Sequence, residues 1–398
     1  MQSLSNTLRI RKACRRVGIN MQLSETIKLY MTKEQKSLVV MTMNEYINTV
    51  NSLVSAASNG TSISKYTTAD VKASLPSALT NQCIRDARSI VNRYNKDCRK
   101  FSAKNKKPAN QKSSITIKKP AVPVLKRPCC YVNNQNFKIK DNCIEFPVLI
   151  NGKSRRIAVR TSMTDNQKLI FANAKHGTMR IVYKGSKIVA QVVYEVNEPE
   201  YTDDGSAMGV DLGIKCPAVS YTSDGSVKFY GNGRKNKYMR RHYKYLRKKL
   251  GKAKKPDAIK RINNKEQRIM KDIDHKISRE IVETAAVHDV KVIKLERLAN
   301  IRSTTRTSRK NNPSLHTWSF YRLAQFIEYK AKLAGIKVEY VNPAYTSQRC
   351  PVCGSVHHAR DRNYTCSCGF RIHRDLLGAI NICNSTEYAG DSNIRHTA

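Results

Sequence analysis

The sequence predicts a multidomain α+β protein, in which a helical part and a β-rich part precede a layered α/β domain. The 398 residues allow two to four domains at roughly 100–200 residues each. Short alternating segments typical of strands run from Tyr131 to Glu198. After Asp203-Asp204-Gly205, strand patterns alternate with helical ones, which is typical of a layered α/β domain.

The charge of the chain indicates a polyanionic partner. There are 73 Lys and Arg against 30 Asp and Glu, which gives a formal net charge of +43. A compact protein with this excess repels itself unless a polyanion neutralises it. Because Lys and Arg are dense from Arg9 through Arg374, we expect an extended nucleic-acid track, not a local anchor.

The same composition predicts a cytoplasmic protein with no membrane partner. No apolar run approaches the roughly 18–20 residues of a membrane span. The basic N-terminal segment MQSLSNTLRIRKACRRVG lacks the apolar stretch of a secretory signal. In a reducing compartment the 12 cysteines are expected to bind metal or to be buried, not to form disulfides.

The first part of the chain predicts a strand followed by helices. Residues 25–31 alternate as a half-buried strand does, and Thr32, followed by Glu34 and Gln35, can cap a following helix. A second helix is predicted from Ala69 to Phe101, where apolar positions recur every three or four residues. Residues 33–101 are therefore predicted to form a small helical domain.

A basic linker and a sheet are predicted next. Residues 103–128 hold eight Lys and Arg, four Pro and no acid, which disfavours both helix and central strand. This segment is either a linker lying on phosphate or a solvated loop. The strand patterns that follow are separated by Asn-Gly and Lys-Gly turns and predict an antiparallel sheet or small barrel, which strand 25–31 can join.

The last part predicts the α/β domain in detail. MGVDLGIKCPAVSYTSDGSVKFYG indicates two strands joined by a Ser-Asp-Gly turn. A basic helix, a helix at 271–288, the strand VKVIKLERL, a helix at 318–334 and the strand IKVEYVN follow.

Three acidic residues lie at predicted element ends in this domain. Asp211 ends an apolar strand before Leu212-Gly213, Glu296 ends the strand VIKLE, and Asp375 opens a helical segment, where it can also act only as a cap. In a protein built to bind polyanions, such carboxylates suit two Mg²⁺ about 3.5–4 Å apart, which stabilise a phosphodiester displacement.

Four clustered cysteines have the spacing of a zinc site. A Cys-x2-Cys pair is followed, after 12 residues, by a Cys-x-Cys pair, and a glycine after each pair permits a tight turn. We expect one structural Zn²⁺ in a zinc ribbon, with His357 and His358 as alternative ligands. The four cysteines are Cys350, Cys353, Cys366 and Cys368.

The segment 234–263 is the strongest candidate for nucleic-acid contact. It holds 14 Lys and Arg and one acid, which on a helix would surround most of the circumference and fit a duplex or hybrid better than solvent alone. The predicted contacts on this helix and beside the cysteines are Arg240, Arg241, Lys244, Arg247, Lys248, Tyr345 and Arg349.

Taken together, these motifs resemble the TnpB family of transposon-encoded RNA-guided DNA endonucleases, relatives of the type V CRISPR effectors. TIKLYMTKEQ, GVDLGIK, DIDHKISREIV, VIKLERL, EYKAKLAGIKVEYVNPAYTSQRCPVCG and RDLLGAINI stand in the family's order. The resemblance implies that Asp211, Glu296 and Asp375 are the catalytic, Mg²⁺-binding residues of a RuvC-like (RNase H-like) nuclease domain with an inserted zinc ribbon. The Cys-x-Cys pair departs from the commoner Cys-x2-Cys.

The resemblance also implies names for the parts of the chain. They are a wedge domain in two parts (1–32 and 129–202), a helical recognition domain with the basic linker (33–128), the RuvC-like domain (203–345), the zinc ribbon (346–370), the last RuvC motif (371–384) and a C-terminal tail (385–398).

The implied function is a transposon's RNA-guided, Mg²⁺-dependent endonuclease that cuts double-stranded target DNA beside a short flanking motif with one RuvC site. Guide RNA, one Zn²⁺ and two Mg²⁺ are the implied cofactors, and the prokaryotic cytoplasm or nucleoid is the implied location. A miniature type V CRISPR effector and an RNA-guided regulator that binds DNA without cutting remain as alternatives. A DNA-joining transposase finds support only in the three acidic residues.

Overall fold

The computed structural model describes residues 20–105, 119–140, 142–201, 205–298, 318–359 and 361–386. Most of the predicted linker, residues 106–118, and most of the predicted tail, residues 387–398, lie outside this part. The chain divides into two compact units, of which one is Ile19–Asn197 and the other contains Glu198–Ala398. None of the described helices is long and apolar enough to cross a membrane.

A seven-stranded antiparallel sheet forms the frame of the first unit, in the order β2-β6-β7-β1-β5-β4-β3. The early strand lies at its centre and pairs with β7 from Asn20↔Asn197 to Lys28↔Val189. The predicted early strand therefore does join the sheet. The strands are β1 (Asn20–Tyr30), β2 (Cys129–Val132), β3 (Lys138–Lys140), β4 (Cys143–Ile150), β5 (Lys153–Ser162), β6 (His176–Lys184) and β7 (Lys187–Asn197).

Two long helices belong to the same unit, α1 (Lys33–Ser58) and α2 (Ser77–Asn105), and a short helix α3 (Asp165–Asn173) follows β5. At the start of α1 the Gln35 backbone N–H donates to the Thr32 hydroxyl at 3.1 Å. The Thr32 N–H donates to the Gln35 side chain at 3.2 Å. This reciprocal cap confirms the predicted start of α1.

The second helix begins later than predicted, at Ser77 and not at Ala69. Pro76 stands immediately before it, and a proline inside a helix removes a hydrogen bond and clashes with the preceding turn. Upstream, the Thr67 N–H donates to the Asp70 carboxylate at 2.7 Å, which holds a local turn in place of a helical one.

Helices and sheet in this unit share one hydrophobic core. Val39, Met43 and Tyr46 of α1 are buried in the same cluster as Ile144 of β4 and Ile181 of β6. Residues 33–101 are predicted to form a domain of their own, whereas in the structure their apolar side chains share a core with the sheet. Neither surface can bury itself alone, so they pack against each other.

The second unit contains a five-stranded sheet in the order β10-β9-β8-β11-β12. Strands β8, β11 and β12 are parallel, and β8, β9 and β10 are antiparallel. Its strands are β8 (Ser206–Asp211), β9 (Ala218–Thr222), β10 (Val227–Tyr230), β11 (Val290–Glu296) and β12 (Lys337–Val341), and a separate pair is β13 (Asn363–Thr365) and β14 (Arg371–His373).

One predicted strand is two in the structure. The segment before the Ser-Asp-Gly turn splits into β8 and β9, because a turn closed by the Gly213 N–H donating to the Pro217 carbonyl at 3.3 Å separates them. A proline at this position cannot continue a central strand.

The described helices of this unit are α4 (Gly233–Lys252), α5 (Pro256–Ile262), α6 (Lys265–Val287), α7 (Phe320–Leu333) and α8 (Arg374–Asn384). Helices α6 and α7 are joined by a partly buried ion pair: Arg322 donates through Nε at 2.7 Å and Nη2 at 2.6 Å to Oδ2 of the buried Asp274. Nearby, the Lys330 ammonium donates to the Ser278 hydroxyl at 2.6 Å. Burial lowers the pKa of Lys330 to about 8.

Helix α8 lies against strand β8 at two glycines. A Cβ added at Gly209 would stand 2.2 Å from the Ala379 carbonyl oxygen and 2.4 Å from the Cys383 nitrogen. A Cβ at Gly378 would stand 3.2 Å from Asp211 Oδ2. Only glycine permits this approach, and it places the first turn of α8 at the end of β8.

Replacing Gly209 with alanine is expected to lower the free energy of unfolding by about 1–3 kcal/mol, because the added methyl group must displace helix backbone. Gly251, near the end of α4, is a matched control, since its Cβ would meet nothing within 4 Å. Gly251→Ala should leave stability unchanged or raise it by up to about 1 kcal/mol. Urea denaturation of the two variants checks this, and equal midpoints would contradict the close approach.

Candidate functional site

Parallel pairing of β8 and β11 brings two acidic residues together. Lys294 stands opposite Gly209 and Leu295 opposite Val210, so the next position places Glu296 beside Asp211. Neighbouring strands are about 4.8 Å apart. The first turn of α8 adds Asp375, whose carboxylate lies close enough to raise the pKa of Asp211. The structure thus gathers all three acidic residues that the sequence analysis selected.

The electrostatics of this acidic cluster are unfavourable without a cation. Burial, followed by the charges of Glu296 and Asp375, raises the pKa of Asp211 well above its usual range. Burial also raises the pKa of Glu296, although a hydrogen bond from Thr346 opposes the shift. Like charges at short range destabilise one another's ionised form. A bound divalent cation would offset this repulsion. Carboxylate oxygens are the hard ligands that Mg²⁺ prefers, so the three side chains offer the type of donor atom that binds this ion.

Asp375 pairs with an arginine from the loop before β13. Arg362 Nη1 donates to Asp375 Oδ1, and the Asp375 carboxylate is almost buried. The N-cap of α8 is His373, whose Nδ1 accepts from the Asp375 backbone N–H at 3.3 Å. Asp375 is therefore not the cap residue of its helix, which was the alternative interpretation of this position.

Sequence reasoning missed the partners that hold the acidic residues. The Thr346 hydroxyl donates to Glu296 Oε1. The Asn381 side-chain amide donates to the backbone carbonyls of Thr346 at 2.7 Å and Arg349 at 2.8 Å, which ties the loop carrying Thr346 to α8. These contacts join residues 32 to 50 positions apart in the sequence, so no local sequence pattern indicates them.

The four predicted cysteines form one cluster. Their sulfur atoms all lie within 4.8 Å of one another. Cys350 and Cys368 are 3.7 Å apart and Cys353 and Cys366 3.4 Å apart, sulfur to sulfur. A tetrahedral Zn²⁺ with bonds of about 2.3 Å needs sulfur atoms about 3.8 Å apart. The donor set and spacing fit a structural Zn²⁺ site, and both sulfur atoms of the Cys-x-Cys pair belong to the cluster.

Two tight turns present the cysteines. The Gly354 N–H donates to the Cys350 carbonyl and the Gly369 N–H to the Cys366 carbonyl, each at 3.0 Å, and both glycines have positive φ. Hydrogen bonds from Ser355 lower the pKa of Cys353 to about 6, which favours the thiolate that binds metal.

The alternative histidine ligands lie outside the cluster. The ring Nε2 of His357 lies 3.2 Å from the Ser367 hydroxyl. The group of ligand atoms at the zinc ribbon consists of the four cysteine sulfurs and contains no histidine.

The basic helix α4 has two different sides. Arg241, Lys244 and Lys248 are exposed, whereas Arg247 pairs with Glu266 of α6. Arg240 is partly buried, and this burial lowers its pKa. Cations thus lie around most of the helix, but Arg240 and Arg247, on the inner side with the buried Tyr243, face the protein. The exposed cations remain predicted nucleic-acid contacts.

The two predicted contacts beside the zinc ribbon are accessible. Tyr345 is 54% exposed and has a φ of 61°, and Arg349 is exposed at the base of the first cysteine turn. Their role in binding stays a prediction.

Two family models match this chain. Residues 320–382 match "Cas12f1-like, TNB domain", and residues 191–302 match a family described as "Probable transposase". The TnpB-like protein MJ0751 of Methanocaldococcus jannaschii is 29% identical over 259 residues, which cover 61% of this chain and 91% of that protein. These matches show that the chain is TnpB-like. It is also related to the Cas12f nucleases.

The sequence similarity to a Cas12f1 nuclease covers a smaller part of the chain than the similarity to the TnpB-like protein. The CRISPR-associated endodeoxyribonuclease Cas12f1 of Sulfoacidibacillus thermotolerans is 34% identical over 136 residues, which cover 33% of this TnpB-like chain and 31% of that enzyme. The fold of a Cas12f1–sgRNA–target DNA complex matches with a TM-score of 0.56 at 15% identity, covering 92% of this chain and 99% of that one. These matches confirm a mixed α+β multidomain fold of the Cas12f kind, with a RuvC-like region and a four-cysteine cluster.

We expect one Zn²⁺ per chain, lost on substitution of a cluster cysteine. Cys353→Ser should lower the zinc content well below one equivalent and loosen the ribbon, because metal binding and folding are coupled at such sites. Cys143→Ser, at the start of β4, and His357→Gln are controls that should retain zinc. Elemental analysis of the purified variants measures their zinc content. Zinc retained by Cys353→Ser, or lost from His357→Gln, would contradict the four-cysteine assignment.

Proposed function

We propose that this TnpB-like chain is a transposon's RNA-guided, Mg²⁺-dependent DNA endonuclease, which cuts target DNA beside a short flanking motif with one RuvC site. The convergence of Asp211, Glu296 and Asp375 at the ends of β8, β11 and α8 carries the proposal. Three carboxylates forced together in a chain of net charge +43 have a use in phosphodiester hydrolysis, where two metal ions separate them from the phosphate.

The three acidic residues share one role in the proposed chemistry, and two neighbouring residues position two of them. Asp211, Glu296 and Asp375 would hold the two Mg²⁺, which when bound supply charge stabilisation for the attacking and leaving oxygens. Thr346 positions the Glu296 carboxylate by its hydrogen bond. Arg362 positions Asp375 and offsets part of the negative charge of the cluster.

The remaining parts support this centre. The zinc ribbon has a structural role, because four thiolates leave the metal no open position. Its small core of Cys350, Tyr364, Cys366 and Leu377 includes a residue of α8, so the ribbon steadies the helix that carries Asp375. We assign the first unit's sheet to a wedge domain and α1 with α2 to a recognition domain, while their common core makes them one folding unit.

Guide RNA and target DNA are the proposed partners. The positive charge supplies the sequence-independent affinity for phosphate that such complexes need. In RNA-guided nucleases base pairing with the guide reads the target sequence, and the protein reads hybrid shape and a short motif. Exposed cations on α4, with Tyr345 and Arg349, are proposed contacts for these strands.

Two alternatives are less well supported. A regulator that binds DNA without cutting has no use for three mutually repelling carboxylates, which cost stability. DNA joining, which the description "Probable transposase" allows, would need recognition of transposon ends, for which the described residues supply no separate element. A miniature type V CRISPR effector uses the same chemistry and differs by the genes beside it.

Removal of one acidic residue should abolish cutting and spare binding. Asp211→Asn, Glu296→Gln and Asp375→Asn are each expected to lower the cleavage rate about a hundredfold or more, because a lost metal ligand removes several kcal/mol of transition-state stabilisation. The assay sequences the copurified RNA, supplies a plasmid with the matching target beside a randomised flank, and follows linearisation in Mg²⁺.

A matched control for these variants is Asp272→Asn, since Asp272 is an exposed aspartate of α6 that pairs with Lys276. It should cut as the wild type does. Guide RNA affinity should stay within a factor of about two in all four variants, because phosphate contacts lie elsewhere. An Asp375→Asn enzyme that cuts at the wild-type rate would remove Asp375 from the proposed metal ligands.

A further inference from the structure

Helix α4 carries a straight stripe of four cationic side chains with two tyrosines among them. Its members follow one another at steps of four, three, four, three and four residues, which keeps them on one face of a helix. All are exposed, and the two tyrosines are 64% and 65% exposed. The stripe consists of Arg234, Tyr238, Arg241, Tyr245, Lys248 and Lys252.

The opposite face of α4 packs against its own unit. Tyr243 is buried and lies half a turn from the stripe, as the helical period of 3.6 requires. Arg247, also on the inner side, is paired with Glu266. The stripe therefore faces outward because the opposite face of the helix packs against its own unit. Tyr238 stacks on His242 of the same helix, with ring centroids 6.1 Å apart, but this contact leaves both tyrosines of the stripe largely exposed.

Exposed aromatic rings between cations suit unpaired nucleotides. Bases stack on aromatic side chains while cations follow the phosphates, and such stacking contributes comparably for every base. In a duplex the faces of the bases are already stacked on one another. A duplex would therefore contact the cations of the stripe but not its tyrosine rings. Tyr238 and Tyr245 are seven residues apart, which is about 10.5 Å along the helix, or about three steps of stacked bases at 3.4 Å each.

The stripe ends close to the acidic cluster. The Gly233 N–H, at the start of α4, donates to the Lys215 carbonyl at 3.0 Å. A Cβ at Gly233 would stand 2.1 Å from the Ile214 carbonyl oxygen, so the helix begins against the loop that directly follows Asp211. Tyr238 is five residues farther on, about 7.5 Å along the axis.

We infer that the outward stripe of α4 binds an unpaired DNA strand on its way to the acidic cluster. Tyr238 and Tyr245 stack on the bases of this strand. Arg241 and Lys248 pair with its phosphates. The assignment to DNA rests on the proposed function, because the acidic cluster at the end of the stripe is where the proposal places DNA hydrolysis. Stacking adds sequence-tolerant affinity, so the stripe would hold any displaced strand.

Photocross-linking of the wild-type chain tests the surface without a variant. A short single-stranded DNA carrying iododeoxyuridine is irradiated with the full-length protein in Mg²⁺-free buffer, and the adduct is mapped by mass spectrometry. We expect adducts on Tyr238 and Tyr245. A single-stranded RNA and a duplex of the same sequence are competitors that should displace the strand less well than unlabelled single-stranded DNA. Adducts confined to other peptides, or RNA as the better competitor, would overturn the inference.

Variants then separate stacking from charge. Tyr238→Leu with Tyr245→Leu should weaken single-stranded DNA binding about tenfold or more and leave the salt dependence unchanged. Arg241→Gln with Lys248→Gln should flatten the slope of log affinity against log salt by about 1.4, since each phosphate contact on a single strand contributes about 0.7.

Two controls complete the design. Tyr238→Phe with Tyr245→Phe keeps the rings and should bind as the wild type does. Tyr30→Leu removes a tyrosine of similar exposure, 54%, from the other unit and should also bind normally. Wild-type affinity in the double leucine variant would refute the stripe. Guided cleavage by the wild type is measured separately, so failure of the proposed nuclease function and failure of the stripe give different results.

Discussion

The close packing of α8 on β8 is the constraint on which the site depends. Gly209 and Gly378 let the helix backbone approach the strand, and the first turn of α8 then brings Asp375 to Asp211. Lys294 secures the other end of the helix by donating to the carbonyls of Cys383 at 3.0 Å and Ser385 at 2.9 Å, where a cation also complements the helix dipole. A shift of this helix would separate the acidic residues.

The same packing assembles a repulsive cluster and then restrains it. Burial and neighbouring carboxylates raise the pKa of Asp211, so the folded chain loses stability when all three residues are ionised. Arg362 and Thr346 offset part of this cost from the ribbon side of the site. The zinc ribbon thus contributes to the site, because its core includes Leu377 of α8 and its loop supplies Arg362.

Local patterns predicted the local structure well. The cap formed by Thr32 and Gln35, the Asn151-Gly152 turn with positive φ at both residues, and the four-cysteine cluster follow from short-range chemistry. The positions of the three acidic residues at predicted strand and helix ends indicate a shared site, and the structure brings them together.

Other features depend on tertiary contacts, which the spacing of residues in the sequence does not predict. Thr346 and Asn381 act across tens of residues, and the inward turn of Arg247 toward Glu266 needs the neighbouring helix. The helices after Thr32 share a core with strands far along the chain, which a reading by segments separates into two domains.

Thermal unfolding with and without Mg²⁺, at constant ionic strength and neutral pH, tests the central claim most directly. A raised carboxyl pKa in the folded state means that the ionised group destabilises the fold, so Asp211→Asn should melt above the wild type in the absence of Mg²⁺. Binding to the folded state should raise the wild-type midpoint when Mg²⁺ is added, and the rise should shrink in the variant. Equal Mg²⁺-induced rises in the two proteins, or a variant that melts below the wild type, would contradict a cation site built from mutually repelling carboxylates.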